Sequence, residues 1–101
     1  MIGIMTSYDG EWPTHRWGVF DGQTYSSVDN ALEHVKSVPH LWRTLRNFSE
    51  GNPKYLLVFV DVGENRYSPD WRRVGKEVER VIAQDLLDEF YGKEEVNNEA
   101  R

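Results

Sequence analysis

The sequence predicts a single α+β domain, and three observations predict it. Lys54 to Val62 is an apolar run with apolar side chains on both of its strand faces. Apolar residues recur at helical spacing in two segments before it and one after it. The first 25 residues alternate weakly and are punctuated by Asp-Gly and Pro turn signals. The resulting order is ββ(β)ααβα, a small two-layer domain on an antiparallel or mixed sheet with a long C-terminal helix. All of residues 1–101 fall in one domain, with a polar tail from about residue 92.

Taken in order, Ile2 to Tyr8 reads as a strand, and "DGEWPT" after it is turn chemistry. "HRWGVF" completes a hairpin, with Trp17 and Val19 on one face and Gly18 and Phe20 on the other. "TYS" adds a short third strand. Ser26 or Ser27 caps a helix whose stripe is Val28, Ala31, Leu32 and Val35, with Asp29 favouring the positive end of its dipole. Val38-Pro39 breaks it. A second helix follows from His40 to about Phe48, with Leu41, Leu45 and Phe48 on its apolar face and Trp42 at the edge.

In the strand over 54–62, Leu56, Val58, Val60 and Val62 face one way and Tyr55, Leu57 and Phe59 the other. It is therefore expected at the centre of the sheet, covered on both sides. One cover is a helical layer; the other is the last helix, a folded-over hairpin or a second subunit, which keeps a homodimer open. The last helix is expected from about Pro69 to Tyr91, ended by Gly92. Its buried stripe would be Trp71, Val74, Val78, Val81, Ile82, Leu86 and Phe90.

Composition narrows the function classes. The chain has no cysteine, which excludes disulfides, thiol nucleophiles and thiolate metal sites. No apolar run approaches the roughly 20 residues of a membrane span, and the first residues lack the pattern of a secretion signal. A cytoplasmic protein without membrane association is expected. The net charge of −5 argues against a general nucleic-acid binder. That charge is uneven: residues 1–35 hold five acids and one base, 36–80 hold six acids and nine bases, and 81–101 hold six acids and two bases. A basic middle between acidic ends points to faces of opposite sign.

The basic middle contains "RYSPDWRRVGKE", which places Arg72, Arg73 and Lys76 in the first two turns of the expected helix, where the backbone dipole is already positive. Cations there suit a phosphate or carboxylate, and Tyr67 and Trp71 would supply a stacking surface for a nucleotide-like ligand. Asp70, Glu77 and Glu79 offset part of the charge, leaving Arg72 without an evident local partner. Arg43 and Arg46 would enlarge the patch if the two helices lay side by side.

Other constellations are thinner. Asp61 and Glu64 flank Gly63 at a strand end, a placement used by metal-dependent hydrolases, although a turn-forming role fits the spacing better. His15, His34 and His40 are separated by 19 and 6 positions, unlike zinc-ligand spacing. No Gly-x-Ser-x-Gly, phosphate-cradling loop or dinucleotide fingerprint occurs, and no cofactor or metal is implied. The preferred reading is a small non-enzymatic binding protein, inhibitor-like, that docks on a protein partner. Its partner-binding residues would be Trp12 in the first loop and the acids Asp85, Asp88 and Glu89, continued by Glu94 and Glu95. A binder of a nucleotide or other small anion at Arg72 and Arg73 is the alternative, and a hydrolase using Asp61 and Glu64 comes third.

Overall fold

The computed structural model describes residues 1–89. Its elements are β1 (Ile2–Ser7), β2 (Trp17–Tyr25), α1 (Val28–Ser37), α2 (Pro39–Ser49), β3 (Leu56–Asp61), a 3₁₀ turn (Ser68–Asp70), α3 (Trp71–Val74) and β4 (Lys76–Ile82). A further helix, α4, begins at residue 83 and is described to 89. The four strands form one sheet in the order β2-β1-β3-β4, with every neighbouring pair antiparallel. The α+β class and the central position of the strand within 54–62 are therefore as expected.

Local chemistry explains the first half. Ser27 caps α1 by accepting a hydrogen bond from the Asn30 amide at 3.1 Å. Pro39 starts α2 in the first turn, where its missing N–H costs nothing. The expected second and third strands are one strand, β2, whose register against β1 shifts between Gly3 and Met5.

Strand alternation sorts the core into two clusters on opposite faces of the sheet. Ile2, Ile4, Leu57 and Phe59 meet Ala31 and Val35 of α1, Leu45 of α2, and Ala83, Leu86 and Leu87 of α4. Met5, Leu56, Val58, Val60 and Val62 meet Trp71, with Trp12, Trp17 and Val19 packed alongside. The second cover of β3 is thus supplied by this chain: the indole of Trp71, fully buried, and the folded-over loop of the β1–β2 hairpin. Gly3 makes room for that indole, since a Cβ there would stand 2.6 Å from Trp71 Cε3.

The single helix expected from Pro69 to Tyr91 is the main correction. Residues 76–82 are an edge strand instead, between the four-residue α3 and α4. Gly75 marks the break. It is extended, and a Cβ there would lie 2.5 Å from the Trp71 carbonyl oxygen and 2.9 Å from Val60 Cβ, so the chain must pass without a side chain. Downstream, Val78, Val81 and Ile82 are β-branched and favour a pleated strand. Most of the expected stripe is accordingly not buried: Val74, Val78 and Ile82 are 45%, 54% and 40% exposed, whereas Trp71 and Leu86 are core. Phe90, Tyr91, the Gly92 stop and the polar tail lie outside the described residues.

Candidate interaction surface

The cluster expected at a helix N-terminus is divided among three different environments. Arg72 turns into the β1–β2 loop, where its Nε donates to the Thr14 carbonyl oxygen at 3.1 Å and its guanidinium sits 5.7 Å from the centre of the Trp17 ring. A hydrogen bond to a loop carbonyl and a cation–π contact give this arginine a structural partner. It also borders an open cleft of about 490 Å³ whose lining mixes the acids Asp9 and Glu11 with Arg16 and His15. Arg73 is 81% exposed and 3.8 Å from Asp70 Oδ1. Lys76 stands on β4 opposite Asp61 in the β3–β4 register.

The aromatic part of that cluster separates as well. Trp71 is fully buried, and its Nε1 donates to the Asn65 carbonyl oxygen at 3.2 Å, so neither ring face is open to a base. Tyr67 is 75% exposed and remains outside the core. Arg43 and Arg46 belong to α2, whose Leu45 packs on the opposite sheet face from Trp71, so they do not extend the patch.

The loop that receives Arg72 is organised by Asp9. Its Oδ2 accepts from the Thr14 hydroxyl, and its Oδ1 accepts from the Glu11 amide at 3.1 Å. Buried Ser7 places its hydroxyl 2.9 Å from Asp9 Oδ1 and 2.6 Å from the Glu11 carbonyl oxygen, so its one proton serves either acceptor. The Thr14 hydrogen bond, with help from the others, holds the Asp9 carboxyl below its ordinary value. Trp12 is carried by this loop and packs, partly buried, on the second core cluster.

This network makes stability depend on pH in a defined direction. A carboxylate whose folded pKa is depressed contributes stability above the unfolded value of about 4, and that contribution disappears as pH falls through the folded value. Asp9→Ala should therefore lower the melting temperature at neutral pH, with a gap from wild type that narrows as pH falls below the unfolded value of about 4. Thermal melts between pH 2 and 7 check this, and a gap constant across that range would contradict it.

Asp61 is engaged locally, while Glu64 lines an open pocket with Gln23, Asn65 and Arg66. Asp61 Oδ1 accepts from the Gly63 amide at 2.9 Å and lies 3.6 Å from the N-terminal ammonium, and these contacts hold its carboxyl below the ordinary range. Gly63 takes φ +60°, so the carboxylate closes a turn. Among the described residues no group of three or more His, Cys, Asp or Glu side chains is placed to hold a metal ion. His34 and His40, six positions apart, share the wall of an open pocket of about 420 Å³ with Asp21 and Tyr25. There Asp21 is already occupied, accepting from the Tyr25 hydroxyl and from the Gln23 amide.

The acids expected on the last helix are differently placed. On α4, Ala83, Leu86 and Leu87 face the core, and Gln84 Nε2 ties the helix to the Ser49 carbonyl oxygen at 2.8 Å. Asp85, Asp88 and Glu89 are exposed on the other side. The strand that runs into this helix is open too: six of the seven residues of β4 are exposed. Residues 76–89 carry five acids and two bases. One acid is answered locally, Glu77 receiving both Nε and Nη2 of Arg80 at 2.7 and 2.6 Å. Among the described residues Glu79, Asp85, Asp88 and Glu89 have no ion-pair partner. Val78 and Ile82 add exposed apolar area to the same stretch, and Val74 does so just before it. The strand part of this surface was missed in the sequence because "KEVERVI" was read at helical period.

The sequence matches no known family model, and neither curated proteins nor solved structures give a significant match.

Proposed function

We propose that this is a small partner-binding protein that docks on the basic surface of another protein through β4 and the exposed face of α4. The observation that carries the reading is the run of residues 76–89, where acids with no ion-pair partner among the described residues and exposed apolar side chains occupy one continuous piece of chain. Exposed apolar residues at an edge strand, bordered by charge of one sign, are what a polar-rimmed interface offers. Surface carboxylates can fill a groove that otherwise takes phosphate, so a partner that normally handles phosphate-bearing molecules would be inhibited by this contact. Trp12 lies outside this run, partly buried against the second core cluster.

The test is charge reversal at positions that do not support the fold. Asp85→Lys, Asp88→Lys and Glu89→Lys together should leave the melting temperature close to wild type, because all three side chains are exposed. The immobilised wild-type protein should retain a partner that rebinds stoichiometrically when purified, releases in high salt, and is not retained by the triple variant. Equal retention by wild type and triple variant would overturn the reading.

A further inference from the structure

We propose that β4 receives its partner by strand addition, and that the strand it accepts is a basic segment of another protein rather than β4 of a second copy. The inference rests on the docking reading above and specifies its geometry. β4 is hydrogen-bonded to β3 on one side and is the sheet edge on the other. An edge strand offers main-chain donors and acceptors to any extended chain that fits its side-chain pattern.

The pattern of β4 rejects its own copy. Glu77 and Glu79 lie on opposite faces, because Val78 is an extra residue against β3. Over the regular stretch 79–82, a two-fold antiparallel self-pair centred on Glu79 or on Arg80 sets that residue against its own copy, which destabilises cross-strand pairs, and one centred on Val81 engages only residues 80–82. A foreign strand with bases opposite Glu79 meets no such conflict. The acids that follow on α4 favour it further, since they have no partner among the described residues.

The bulge fixes where pairing occurs. Against β3, Glu77 pairs with Val60 and Glu79 with Phe59, leaving Val78 as the extra residue. From Glu79 to Ile82 the register is regular. The added strand therefore pairs along 79–82, beyond the bulge.

The probe is a capped seven-residue peptide alternating lysine and valine, compared with its glutamate–valine counterpart. Amide hydrogen exchange on the wild-type protein should slow at 79–82 with the basic peptide and stay unchanged with the acidic one. Glu79→Lys should weaken the basic peptide by about tenfold or more. Unchanged exchange at 79–82 under saturating basic peptide, or equal effects of the two peptides, would overturn strand addition. Partner retention that depends on the α4 acids while 79–82 stay unprotected in the complex would also overturn it, and would leave the docking reading standing. Retention indifferent to those acids, with 79–82 protected by the basic peptide, would do the reverse.

Discussion

Trp71→Ala is expected to lower the stability by about 3–5 kcal/mol, the largest effect of any single change in the molecule. The indole is fully buried against Val58, Val60 and Met5 and closes the sheet face that has no long helix over it. Its removal leaves a cavity that Gly3 and Gly75 cannot fill, and it orphans the Asn65 carbonyl oxygen that Trp71 Nε1 now meets. For a domain of this size the melting temperature should fall by at least about 12 °C. Trp71→Phe keeps much of the volume and should lose less. A loss of only a degree or two in Trp71→Ala would contradict the placement of this side chain as the centre of the second core.

Arg72→Ala should cost about 1–3 kcal/mol, from one charge-assisted hydrogen bond and one cation–π contact. Arg72→Lys should not restore it, because an ammonium does not reproduce the planar Nε–H aimed at the Thr14 carbonyl oxygen while stacking on Trp17. In both variants hydrogen exchange should quicken across residues 9–16, the loop that Arg72 closes. A ligand role makes the opposite forecast. Under it, inorganic phosphate or a nucleotide would raise the melting temperature of wild type, and Arg72→Lys would retain part of that shift.

The segment "RYSPDWRRVGKE" favours a longer helix locally than the fold permits. The stretch carries a real helix start, but the helix lasts four residues. Local propensity of Glu and Arg, and their spacing of three and four, favoured continuing it. What overrode them was tertiary: Val60 stands 2.9 Å from where a Gly75 Cβ would be, and β3 had an unfilled edge for the next segment to pair with. Neither fact is local to the sequence. By contrast, β3 was readable because apolar residues on both its faces leave it nowhere to go except the sheet centre. The cap at Ser27 and the break at Pro39 were readable because they act within a few residues. The acidic face of α4 was readable for a different reason: Ala83, Leu86 and Leu87 fix which side is buried whatever precedes the helix. The partner of Arg72, 58 positions away at Thr14, had no signal in the chain at all.

A hydrogen-exchange footprint of the partner complex distinguishes a docking surface on β4 and α4 from one at the arginine cluster. Exchange should slow over residues 76–89, with residues 9–16 and 66–74 unchanged. Protection confined to 9–16 and 66–74, around Arg72 and Arg73, would contradict it.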